Sequence, residues 1–184
     1  LKIKHVGEFE KQGCKSVKIY ADTKHEYLTF IHSESVKALD EWFESRKKNG
    51  EKLTPESWVF CKSGDYQKPL RSENINTSLI RMCKTVDRGL SINGRFDISI
   101  THGIRKRWNT IAKSNLNVNP NTIEKMFGHS TILLDNRYHK PTIDVLFDEY
   151  QKIVPELVID DSYRLQIQLD KKNKEIDNLK LKEN

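Results

Sequence analysis

Apolar residues in this chain recur first at every second position and later at every third or fourth, and the change of period marks its elements. Residues 14–20 (CKSVKIY) and 26–31 (EYLTFI) are β-rich runs separated by Ala-Asp-Thr-Lys-His, which predicts a hairpin. Val36, Leu39, Trp42 and Phe43 then form an apolar stripe that predicts a helix from about 34 to 48, with Ser33 as its cap and Asn49-Gly50 as its stop. Trp58-Val59-Phe60 is a short apolar stretch before a polar turn at 63–65. A second helix is expected from 73 to 87, with Ile75, Leu79, Met82 and Val86 on one side, and a glycine-containing loop over 89–97.

A third helix is expected from 102 to 114, capped by Thr101. Ile104, Trp108, Ile111 and Ala112 should face the core, which leaves His102, Arg105 and Asn109 on the neighbouring side. Asn119-Pro120 opens another helix, because proline suits the first helical position. Ile123, Met126 and Phe127 are its apolar side and Gly128 its end. A short segment over 131–138 and a helix near 142–153 follow, and Pro155 marks a break. Beyond it, 162–182 is charged and helix-prone, with Leu165, Leu169, Ile176 and Leu179 in a heptad-like seam interrupted by Lys172. This tail reads either as a solvated helix or as an element that docks on a partner protomer. The pattern as a whole predicts an α+β fold, mainly helical, divided into a domain over 1–155 and a tail over 156–184.

Composition narrows the function classes. Lysine and arginine number 32 against 26 acidic residues, a net charge of +6 that favours an anionic partner such as nucleic acid. Cys14, Cys61 and Cys83 form no CxxC pair, and none of the six histidines has another at i+4, so no zinc site or disulfide framework is expected. No apolar run approaches the roughly 18 residues of a membrane span, and no signal peptide is visible. The expectation is a cytoplasmic protein that uses no cofactor and no membrane.

Three short boxes carry the chemistry. They are His102-Gly-Ile-Arg105, then Gly128-His129-Ser130, then Arg137-Tyr138; His129 follows Arg105 by 24 residues and precedes Tyr138 by 9. In this order and spacing the boxes resemble the catalytic half of the tyrosine recombinases, the phage-type integrase family. The flanks agree: Ile123-Glu-Lys-Met-Phe127 resembles the apolar helix that leads into the family's second box, and WVFCKSGDYQKPL over 58–70 resembles its apolar, polar-turn, Pro-Leu segment. The resemblance covers about residues 1–150. It implies an integrase-like catalytic domain with a small antiparallel sheet on one edge and a tail helix behind.

It also implies a site-specific recombinase that cleaves and rejoins double-stranded DNA through a 3′-phosphotyrosine, as a homo-oligomer, a tetramer on paired sites. Tyr138 is then the nucleophile, and stores the bond energy so that no metal or nucleotide is consumed. Arg105 is a planar fork for two phosphate oxygens, and His102 and His129 donate further hydrogen bonds. His102 is the candidate base. Lys24, or a neighbour in the same hairpin turn, is the candidate acid for the leaving 5′-oxygen. Arg107 and Arg137 read as DNA-backbone contacts or as ordinary solvated arginines.

One departure matters. The family carries a first active-site arginine just before its hairpin, yet no arginine precedes Lys24 here. The expectation is an N-terminally truncated catalytic domain with an incomplete phosphate clamp. Two alternatives share much of the pattern: a type IB topoisomerase-like relaxing enzyme, and a DNA-binding remnant without catalysis.

Overall fold

Gln12 and Gly13 both adopt positive φ, 53° and 72°, the conformation of a two-residue hairpin turn whose twist matches its flanking strands. In this computed structural model, which describes residues 1–62, 64–85, 100–129 and 140–180, that turn joins β1 (Val6–Lys11) to β2 (Cys14–Ile19). β2 pairs in turn with β3 (Tyr27–Ile31), so three antiparallel strands lie in the order β1-β2-β3. The expected hairpin is β2–β3, in register from Lys15 opposite Ile31 to Ile19 opposite Tyr27. β1 was not expected from the pattern. Its pairing shifts register between Val6 and Glu10, and this irregularity, with Gly7 at φ 87°, breaks the alternation that would mark a strand. A second, two-stranded sheet pairs β4 (Cys61–Lys62) with β5 (Asp65–Pro69); residue 63 of the turn between them lies outside the described residues.

The described residues also form seven α-helices: α1 (Ser33–Lys48), α2 (Ser72–Thr85), α3 (Ile100–Ser114), α4 (Pro120–Met126), α5 (Ile143–Gln151), α6 (Val154–Leu157) and α7 (Asp161–Lys180). The fold is therefore α+β and mainly helical, as expected. Details differ at helix starts. Ser33 is the first helical residue and His32 occupies the cap position without a side-chain bond. Thr101 lies inside α3. At α4 the expected start holds, with Pro120 in the first turn, and the structure adds a cap: the Asn119 side chain accepts the Asn121 amide at 3.0 Å.

The core is an aromatic chain. Phe30 of β3 packs on Phe147 and Tyr150 of α5, with centroids 5.5 and 5.4 Å apart. Tyr150 stacks on Trp108 of α3 at 6.5 Å, and Trp108 meets Phe127, just after α4, edge-on at 4.5 Å. Ala112, Ile123 and Met126 fill the space beside these rings. Ile104, expected in the core, is 63% exposed; it stands on the rim of a cleft of about 490 Å³ between α3, β3 and the start of α7, one turn beyond the rings that bury Trp108. On α2, Ile75 and Met82 are also exposed and Leu79 is half-buried, because this helix packs mainly against α3. Val86 and the loop over 89–97 lie outside the described residues.

The expected division near 155 falls inside α6, and the core runs on through the buried Leu157 and Val158. α7 begins where Asp160 accepts the Ser162 amide and where the Glu34 carboxylate accepts the amides of Ile159 and Asp160 at 3.0 and 3.1 Å. Tyr163 and Ile167 pack on the core, whereas Leu165, Leu169 and Ile176 of the heptad-like seam are exposed.

A buried arginine ties the small sheet to α1. Arg46 is 1% exposed and grips Glu51 with two bonds of 2.6 Å, while its Nη1 donates to the Trp58 carbonyl at 2.7 Å. Its guanidinium also lies over the rings of Trp42 and Tyr66. Removing the cation leaves the nearly buried Glu51 without a partner. Arg46→Met should cost about 3–5 kcal/mol in urea denaturation, and Arg46→Met with Glu51→Leu should cost less than Arg46→Met alone. Equal losses in the two proteins would contradict the pairing.

Candidate active site

α4 ends in a tight reversal that creates the site. Gly128 takes φ 68°, the Gly128 amide donates to the Lys125 carbonyl, and the His129 amide donates to the Glu124 carbonyl, each at 3.1 Å. These two bonds are the Schellman pattern, which folds the second residue past the helix back over its last turn. Glu124 and His129 are thereby stacked one above the other. His129 Nδ1 lies 2.5 Å from Glu124 Oε2, and Lys113 of α3 is paired with the other carboxylate oxygen.

Arg105 arrives from α3. Its Nη2 donates to the Phe127 carbonyl at 2.8 Å and to His129 Nε2 at 3.1 Å, and its guanidinium lies 4.8 Å from the centroid of the Phe127 ring. Among the described residues no acceptor takes the Nε or Nη1 protons of Arg105. The result is a line of four side chains, Lys113, Glu124, His129 and Arg105, drawn from α3, α4 and the reversal that ends α4. Burial pushes the Glu124 carboxyl up, but hydrogen bonds from Lys113 and His129 outweigh it and hold the group below its ordinary value.

The β2–β3 hairpin reaches the same place. A Cβ at position 128 would run into the Tyr27 ring, so Tyr27, the first residue of β3, sits on the bare face of Gly128. Lys24 is exposed in the turn just before it. That turn is held by positive φ at Tyr20 and Asp22 and by the Thr23 hydroxyl, which donates to the Tyr20 carbonyl at 2.7 Å.

The expected site residues are thus placed as follows. Arg105 and His129, 24 residues apart, are in contact. His102 is exposed one turn before Arg105 on α3, on the same side of the helix. Lys24 lies in the hairpin whose β3 abuts Gly128, without a bond to Arg105 or His129. Arg107 points elsewhere: its Nη2 reaches the Glu156 carbonyl at 3.4 Å beside α6. Ser130, Arg137 and Tyr138 lie outside the described residues. Glu124, Lys113 and Tyr27 were missed by sequence reasoning. The signal for Glu124 was present, since a glycine after a helix places the next residue over the one five positions earlier.

The arrangement can bind an anion. It offers a guanidinium with free donors, a second cation behind it and a histidine between them. No group of three or more metal-ligating side chains occurs among the described residues, and none of their helices is long and apolar enough to cross a membrane. Compared with known protein families, with curated proteins and with solved structures, the chain has no match.

Two outcomes test this geometry. Gly128→Ala should destabilise the protein by about 1–3 kcal/mol, because it adds backbone strain and a clash with Tyr27; Tyr27→Ala in the same chain should restore part of the loss in urea denaturation. For acid, the depressed carboxyl sets the sign. The contribution of Glu124 is complete above its ordinary value of 4.5 and is lost as pH falls through the lower folded value. Glu124→Gln should be less stable than the parent near neutral pH, with the gap closing in strong acid; a gap independent of pH would refute the assignment.

Proposed function

We propose that this chain is the catalytic part of a tyrosine-type site-specific DNA recombinase of the integrase kind. The observation that carries the reading is the meeting of Arg105 with His129. Two boxes recognised by order and spacing come together as one cationic cluster, and the β2–β3 hairpin abuts the second of them.

In this reading the scissile phosphate of double-stranded DNA sits against Arg105, whose Nη2 turns from His129 to complete the fork. The guanidinium fork neutralises charge that builds on the phosphoryl oxygens as a fifth ligand joins phosphorus. Tyr138 attacks through its phenol oxygen, and the P–O5′ bond breaks as the phosphotyrosine forms. His102 takes the phenol proton. Lys24, at the tip of the hairpin, gives a proton to the departing 5′-oxygen. Rejoining runs the same steps backwards with the 5′-hydroxyl of another strand. Exchange between two duplexes requires several copies, which is why a tetramer on paired sites belongs to the proposal.

The test is covalent capture. The protein is incubated with nicked duplexes of randomised sequence, so that cleavage releases a short strand and traps the adduct. A denaturant-resistant protein–DNA band should form and should vanish in Tyr138→Phe. Arg105→Ala should slow its formation on the order of a hundredfold or more, and Arg105→Lys should not restore it, because an ammonium lacks the fork. An undiminished band in Tyr138→Phe would sink the reading.

A further inference from the structure

The partners of His129 constrain where its ring proton sits. Arginine has only donors, so the contact from Arg105 Nη2 at 3.1 Å makes His129 Nε2 an acceptor. The carboxylate of Glu124, 2.5 Å from Nδ1 and paired on its other oxygen with Lys113, has only acceptors. The single ring proton is therefore on Nδ1. In this state His129 has no N–H left to offer a phosphate. The donation to phosphate expected of His129 from the sequence then requires a further proton.

We infer that Glu124 is a positioning residue that fixes the His129 proton on Nδ1, so that occupation of the site by a phosphodiester draws a second proton onto Nε2. The inference rests on the reading of Arg105 and His129 as phosphate ligands. When a phosphate oxygen takes the N–H groups of Arg105, Nη2 leaves the histidine. Nε2 is then a lone pair facing an anion. A tautomer shift is blocked, because it would turn a second lone pair toward Glu124. One proton from solvent on Nε2 resolves both contacts: the imidazolium donates to phosphate on one side and to Glu124 on the other. One N–H bond forms, at Nε2 with a proton from solvent; Arg105 keeps its protons and changes only its acceptor, from the His129 nitrogen to a phosphate oxygen. Among the described residues, the charged and titratable groups around His129 are Arg105 and Lys113 from α3, Glu124 from α4 and Tyr27 from β3. Arg105 and Lys113 oppose the second proton, and Glu124 favours it. The phosphate anion tips the balance when it binds.

This differs from a purely structural role for Glu124. A buttress would serve equally well at any pH. A carboxylate that stabilises an imidazolium matters most when protons are scarce.

The experiment has two arms. In the first, the free protein with ¹⁵N-labelled histidine is compared with Glu124→Gln by NMR. His129 should carry its proton on Nδ1 in the parent and should show mixed tautomers in the variant. An Nε2-protonated His129 in the free parent overturns the proposal whatever the protein does to DNA. In the second, adduct formation on the nicked duplexes is followed against pH. Glu124→Gln should slow it on the order of tenfold or more, with the deficit shrinking as pH falls, because bulk acid then supplies the proton. Lys113→Met, which leaves the Glu124–His129 contact in place, should not reproduce that pH dependence. A deficit that is the same at every pH overturns the proposal while leaving the recombinase reading intact. No adduct from the parent at any pH, with the Nδ1 tautomer present, overturns the recombinase reading and the phosphate-linked step together.

Discussion

A single line of aromatic rings holds the elements of this protein in place. It begins at Phe30 in the sheet, passes through Phe147 and Tyr150 of α5 to Trp108 of α3, and ends at Phe127, whose carbonyl and ring both receive Arg105. The rings come from four stretches of chain, and each is large enough to bury apolar area on two sides. The cationic site is the polar end of that line. Among the described residues Arg105 is held by a carbonyl, a ring face and an imidazole and by no carboxylate, so its charge stays available to an anion.

The helices and their apolar faces were largely legible. Trp108 and Ala112 on α3, Ile123 and Met126 on α4, and the helix start at Asn119-Pro120 follow from period and the fit of proline to a first turn, because a helix long enough to repeat its pattern states its face more than once. What escaped the pattern had physical reasons. β1 carries a register shift that offsets Val6 from Phe9, so the alternation of a strand is lost. Ile104 obeys the helical period but stands on the rim of a cleft, largely exposed. Periodicity gives direction around a helix, not how far along it a neighbour extends.

The site was legible as boxes but not as a network. The spacing of His102, Arg105 and His129 identified the candidates, and two of the three are in contact. Glu124 and Lys113 were invisible as chemistry, since acidic and basic residues on helices are usually solvated. Their roles come from the reversal at Gly128. That reversal is a local rule, and it converts a spacing of five residues into a hydrogen bond. Arg107, only two residues from Arg105, is turned toward α6 by the same helical geometry that brings Arg105 to His129.

The seat of Tyr27 on Gly128 has an evolutionary consequence. Most protein contacts can be tuned through a graded series of side chains, losing or gaining a methyl at a time. Position 128 offers no such series. Every residue that a single nucleotide change can substitute for glycine brings a Cβ, and the Cβ alone meets the ring. Selection at this position is therefore digital: either glycine stays, or the hairpin and the helix terminus must part. Change in the site has to come from the residues around this joint, while the joint itself stays fixed.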